Sequence, residues 1–205
     1  MMPGKTAKGK PGYYRYEKVK RCLVTLLMFA IPIGIFITGV IMTGTRKNLL
    51  TVVAILGVIP AARFAVSWIM VMMQKDVPEE VVAQTDAAAP DLVRAYELTV
   101  TAYEGQMPLD ALVVCGNELV CFASNGKKDK IPMMQKHMAK ILASNGYSGV
   151  NVKIFGEEKP FLDRVKAVAA RPDTYREGIR FTPDSRYPDL SREEMILHTI
   201  MAISI

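Results

Sequence analysis

Acidic residues are almost missing from the first 75 positions, where Glu17 stands alone. Histidine is scarce: only His137 and His198 occur, far apart, with no cysteine or carboxylate at ligand spacing. That pattern does not make a zinc site. Cysteine is scarce too, and Cys22, Cys115 and Cys121 do not suggest the disulfide framework of an oxidised, secreted domain. No serine or cysteine sits in a recognisable nucleophile motif. The glycine-lysine loop SNGKKDK at 124–130 lacks the earlier glycine that a phosphate-binding P-loop requires. The tetrapeptide ASNG occurs at 123–126 and 143–146, which reads as shared turn chemistry and not as duplication.

What the chain does have is long apolar runs. Cys22 to Met42 carries no charge, and Leu49 to Met73 carries only Arg63. Each exceeds the roughly 20 residues that cross about 30 Å of hydrocarbon. The first run is too long for a signal-peptide core and no small-residue cleavage site follows it. The reading is an uncleaved transmembrane helical hairpin, spans 22–42 and 49–73, turning around Thr43–Asn48. Residues 1–21 carry seven Lys and Arg against Glu17, and the loop between the spans adds Arg46 and Lys47. The positive-inside rule then places the N-terminal tail in the cytoplasm, and two crossings return the C-terminal domain there. The expected location is the cell membrane, with both termini cytoplasmic. The tail, 1–21, reads as basic and flexible, able to cling to anionic lipid. From Asp76 onward there are 15 Lys and Arg against 19 Asp and Glu, so the soluble part does not point to nucleic acid.

Small residues mark the helix-packing faces. Ala30, Gly34 and Thr38 recur every fourth residue in the first span, and Gly57, Ala61 and Ala65 do so in the second. Such stripes let helix backbones approach closely. In antiparallel register Ala30 would face Ala61, and Gly34 would face Gly57. Arg63 lies two residues from Ala61 and Ala65, about 200° around the helix, and so points away from the first span. An arginine near mid-membrane is costly. Either it meets a second copy, another protein or a polar cavity, or it snorkels to cytosolic headgroups. Ser67, one turn on, suits both.

The soluble part, 76–205, reads as an α/β domain. Asp76 with Pro78, Glu79 and Glu80 opens a helix to about Ala88. Tyr96–Tyr103 alternates as a half-exposed strand. VVCGNELVC reads as a hairpin turning at Gly116-Asn117. That register opposes Cys115 to Glu118 and Leu112 to Cys121, with the two thiols on opposite faces. Ile131–Ser144 is an amphipathic helix, Val150–Ile154 a strand and Phe161–Val168 a second such helix. Residues 171–190 form an irregular connector. Ser191 and Glu194 make a capping box for a last helix. Lys127, Lys128 and Lys130 are a phosphate-binding candidate, beside the alternative of a solvated loop.

This order, αβββαβα, resembles the core of the PD-(D/E)xK nuclease superfamily, with a restriction-endonuclease-like fold. Residues 96–155 look like the nuclease-related domain of bacterial membrane-associated proteins. Pro108-Leu109-Asp110 opens the second strand, where that family places its metal-binding Asp. IPMMQKHMAKIL resembles its Asn-Pro-x-x-Gln helix start, which brings in Gln135. The resemblance implies Asp110, Gln135 and Lys127 as catalytic candidates, with Mg²⁺ or Mn²⁺ as the only implied cofactor. The third strand departs from the pattern: ELVCFASNGKK holds no carboxylate and lysine two residues apart. The residues themselves offer no metal site. Three readings follow. The first is a membrane-anchored, non-catalytic interaction or assembly module. The second is a divalent-metal nuclease with an altered site. The third is an accessory subunit of a transporter.

Overall fold

A computed structural model describes residues 7–103, 105–179, 181–182 and 186–204. The chain divides into two compact units, one of them Tyr14–Lys75 and the other Thr6–Tyr13 with Asp76–Ile205.

The first unit is built from two helices, α1 (Tyr13–Thr43) and α2 (Leu49–Met72). Asn48 caps α2 by accepting the Thr51 amide, so the turn falls where the sequence placed it. Both helices are long and apolar enough to cross a membrane. In their most apolar windows only 17% and 11% of residues are buried. A core helix of a soluble protein would bury most of its apolar surface. Here Leu26, Leu27, Ile41, Leu49, Ile55 and Ile59 are all exposed, which fits lipid-facing surface.

The contact between these helices differs from the expected one on α1. Ala30, Gly34 and Thr38 are exposed, and the Thr38 hydroxyl donates to the Gly34 carbonyl of its own helix. The buried line is instead Thr25, Pro32 and Gly39. Pro32 lies two residues from Ala30 and Gly34, which is the opposite side of a helix. The α2 stripe keeps its role in part: Ala61 is buried, while Gly57 and Ala65 are half-buried. A Cβ on Gly39 would come within 2.8 Å of Leu50 Cβ, and one on Gly57 within 3.3 Å of Pro32 Cβ. The turn decides this. Its cap residue Asn48 and Leu50 press against Gly39, and that contact selects the face of α1. Arg63 is exposed. Ser67 is engaged within the hairpin, its hydroxyl accepting from Arg21 at 2.7 Å.

The second unit is a mixed four-stranded sheet between two helical layers. The strands are β1 (Val93–Ala102), β2 (Gly105–Cys115), β3 (Glu118–Phe122) and β4 (Asn151–Phe155). Their spatial order is β1-β2-β3-β4, antiparallel except for the parallel β3/β4 pair. Helix α3 (Glu79–Ala88) precedes the sheet, and α4 (Ile131–Ser144) makes the β3-to-β4 crossover. Three helices follow: α5 (Glu158–Ala169), α6 (Pro172–Arg176) and α7 (Arg192–Ala202). One face of the sheet packs Leu112, Leu119 and Cys121 against Met134 and Met138 of α4 and Ile196 of α7. The other packs Ala111, Val113 and Cys115 against Val81 of α3 and Phe161 and Val165 of α5. A sheet covered on both faces needs apolar residues at both parities. That explains the unbroken apolar runs of β2 and β3.

The hairpin register is the expected one, Cys115↔Glu118 and Leu112↔Cys121, with the thiols in opposite cores. The capping box at Ser191 and Glu194 is present. The start of α3 differs: its N-cap is Pro78, with no side-chain cap, because Pro78 itself is extended and Asp76 lies too far back. β1 also differs. Glu97 and Thr99, expected to face solvent, are 1% and 0% exposed. Residues 95 and 98 share one face while Tyr96 lies on the other, so the alternation slips at Glu97, whose φ is 53°.

The N-terminal segment is the largest departure. Its first six residues lie outside the described ones. Ala7–Gly12 does not run free but lies along the outer edge of β1. The Tyr96 amide donates to the Gly9 carbonyl at 2.8 Å. Lys8 Nζ donates to the carbonyls of Met201 and Ser204 at 2.8 and 2.6 Å, and the Gly12 amide donates to Glu97 Oε1 at 3.1 Å. From Tyr13 on, the expected tail is helix α1. An exposed strand edge is a liability, and this strap covers part of it. Further along, the Thr101 amide donates to the Ile203 carbonyl.

Candidate functional site

The parallel pair β3/β4 points its carboxyl ends toward two loops, 123–130 and 156–157. Ligands of open α/β sheets gather at such ends. Asp110 belongs to this pole. Its Oδ2 accepts the Ser124 amide at 2.5 Å, and its side chain is buried. It therefore fastens the turn by which the chain leaves β3. The Gly126 amide completes that turn on the Ala123 carbonyl at 3.0 Å.

The three lysines follow at once but do not converge on Asp110. Lys127 is exposed. Lys128 pairs with Glu157 at 3.0 Å, both largely in water. Lys130 ends a single 3-10 turn, Lys128–Lys130. A cavity of about 310 Å³ opens beside them, lined by Lys128, Ile131, Pro132, Phe155, Gly156 and Glu157. Gln135 is tied elsewhere: its amide donates to the Val152 carbonyl at 3.2 Å and holds α4 to β4.

A divalent metal of the nuclease kind needs several converging oxygens. Beside Asp110, β3 ends at Phe122 and is followed by Ala123 and Ser124, none of which offers a carboxylate. Glu97 holds the ladder position opposite Asp110, between the pairs Tyr96↔Ala111 and Leu98↔Leu109. Its Oε1, however, accepts the Gly12 and Val77 amides at 3.1 and 3.4 Å. Among the described residues no group of three His, Cys, Asp or Glu is placed to hold a metal. The residues at this pole do not fit that ion.

The opposite pole carries a second polar constellation, which sequence reasoning missed. Glu118 is buried and accepts Arg164 Nε and Nη2 at 3.0 and 2.5 Å, and Asn151 Nδ2 at 2.9 Å. Lys153 adds a longer contact, 3.8 Å. Glu193 accepts the Gly116 amide at 2.7 Å and both arms of Arg176. Arg192 donates to the Gly116 carbonyl at 2.6 Å and to Asn117 Oδ1 at 2.7 Å. The guanidiniums of Arg164 and Arg176 are held firmly charged by these carboxylates. A signal did exist: a Glu beside the Gly116-Asn117 turn, followed by four apolar residues, must be buried and so must find a cation. Its partner, 46 residues away, is not legible.

Removing one member of a buried pair costs about 3–5 kcal/mol where the other charge is left alone. Glu118 keeps Asn151 and Lys153, and Arg164 is partly exposed. Arg164→Ala is therefore expected to cost less, about 2 kcal/mol. The paired change Glu118→Leu with Arg164→Met is expected to recover most of it. Thermal unfolding of the three proteins checks this; equal loss in single and double variants would contradict it.

The thiols are inert by burial. Cys121 is pushed well above its ordinary range. Cys115 is pushed up to about 11, by burial first and then by the Glu193 carboxylate. Neither is a nucleophile at neutral pH. Both serve as reporters of opening. No family model, no curated protein and no solved structure matches the chain.

Proposed function

We propose that this chain is a two-span membrane protein with both termini in the cytoplasm, whose α/β unit is a non-catalytic interaction or assembly module. The observation that carries the reading is the use made of the buried acids. Glu97, Asp110, Glu118 and Glu193 each bind backbone amides or guanidiniums of the fold itself. The exposed apolar surface of α1 and α2 supports the anchor. The basic residues flanking it support the orientation. Arg63, exposed on an otherwise apolar helix, is the contact point for assembly with a second copy or another membrane protein in this reading.

One observation favours a second reading, a metal-dependent nuclease: the element order αβββαβ, with Asp110 beside the end of β3. The test uses the full chain in nanodiscs. The module reading expects that Mg²⁺ or Mn²⁺ leaves unfolding unchanged and that no strand cleavage is lost in Asp110→Ala. Metal-dependent stabilisation abolished by Asp110→Ala would favour the nuclease. Cross-linking in membranes is expected to capture oligomers of the native chain and fewer of Arg63→Leu. Monomers in both would reject assembly through that face.

A further inference from the structure

The α/β unit is acidic as a whole, yet one stretch is strongly basic. Residues 127–140 hold five lysines and one acid, Asp129, whereas the rest of 76–205 holds ten basic and eighteen acidic residues. The fold turns this stretch into a surface. Met134, Met138 and Leu142 of α4 are buried against the sheet. Pro132, Lys136 and Lys140 are exposed on the outward line of the same helix. Lys136 and Lys140 are one turn apart, about 6 Å along the axis. Lys127, in the loop before α4, is exposed as well. Asp129 is the one acid within this stretch, and Glu157 is engaged with Lys128.

From this charge segregation we infer that the outward face of α4, with Lys127, Lys136 and Lys140, docks on anionic lipid headgroups. The chemistry of the patch selects this occupant. It presents lysines only, which act as point charges, and no arginine fork for bidentate recognition. It presents no Phe, Tyr or Trp on which a base would stack within 127–140. Point charges spread along an exposed line suit a diffuse anionic surface. The apolar helices would keep such a surface within reach at all times. The inference thus rests on the reading that those helices lie in a bilayer, and it adds a second, headgroup-level contact.

The experiment is lysine acetylation footprinting of the full chain in nanodiscs of phosphatidylcholine, with or without phosphatidylserine. Retention of the chain in the pure phosphatidylcholine discs checks the membrane reading separately. Lys127, Lys136 and Lys140 are expected to react roughly fivefold more slowly with phosphatidylserine present, and high salt is expected to restore their rates. Lys159 and Lys166 on α5 serve as controls and are expected to be unchanged. In the Lys136→Glu/Lys140→Glu variant the protection of Lys127 is expected to disappear, while Cys115 and Cys121 stay unreactive and so certify the fold. Equal rates in both lipids, or equal slowing at the α5 controls, would overturn the inference. So would stronger protection of the same lysines by a short DNA duplex in phosphatidylcholine discs at the same salt, which would reassign the face to nucleic acid.

Discussion

Gly116→Ala is expected to unfold the α/β unit. Gly116 has a φ of 55°, in the left-handed region, and a Cβ there would stand 1.9 Å from the Tyr175 carbonyl oxygen and 2.4 Å from its carbon. Those atoms are backbone and cannot swing aside. They are also bonded in place, because the Asn117 amide donates to that same oxygen at 3.0 Å. The turn is further clamped by Glu193 below its amide and Arg192 on its carbonyl. Relieving the clash means giving up most of these bonds at once. The expected cost exceeds about 4 kcal/mol, a large fraction of the roughly 5–15 kcal/mol that holds an ordinary domain folded. Pulse labelling of Cys115 and Cys121 measures it: both thiols are expected to become reactive under conditions where the native chain protects them. Protection equal to the native chain would show that α6 can move away, and would remove α6 as part of the clamp.

Glu97 is expected to give the next largest effect, with a diagnostic order among its replacements. The chain leaves the α/β unit at Tyr13 and returns to it at Asp76. Just inside both points, the amides of Gly12 and Val77 donate to the same Glu97 oxygen. One carboxylate therefore ties together the two strands of chain that lead to the apolar helices. Its backbone is strained, since a non-glycine residue at φ 53° costs about 1 kcal/mol. Glu97→Ala keeps the strain and orphans two amides, each worth about 1–3 kcal/mol, for an expected loss of about 4 kcal/mol. Glu97→Gly orphans the same amides but relaxes the backbone, and is expected to lose about 1 kcal/mol less. Glu97→Gln keeps an acceptor and is expected to lose least. Hydrogen exchange at Gly12 and Val77 follows the tie directly. An alanine variant as stable as the glycine one would show that the strain is not real.

Much of this protein is legible in its sequence. The lengths of the two apolar runs determined two helices and the turn between them, because hydrocarbon thickness and helix rise leave little choice. The Gly116-Asn117 dipeptide set the β2/β3 register to the residue, since a two-residue hairpin admits one pairing. Ser191 and Glu194 announced the start of α7 through local hydrogen bonds alone.

What only the tertiary structure decided was everything that depends on contacts distant in sequence. Ala30, Gly34 and Thr38 and the line Thr25, Pro32 and Gly39 are both small enough to pack, and the approach of Asn48 and Leu50 chose between them. Glu97 and Thr99 alternated like solvent-facing positions, but the strap Ala7–Gly12 and the chain end at Ile203 and Ser204 cover that edge. The resemblance implied Asp110 as a metal ligand, and whether other carboxylates joined it was a question of convergence. They go elsewhere, to amides and guanidiniums. Periodicity and turn chemistry act over a few residues and can be read from the chain. The partners of a buried charge are brought together only by folding.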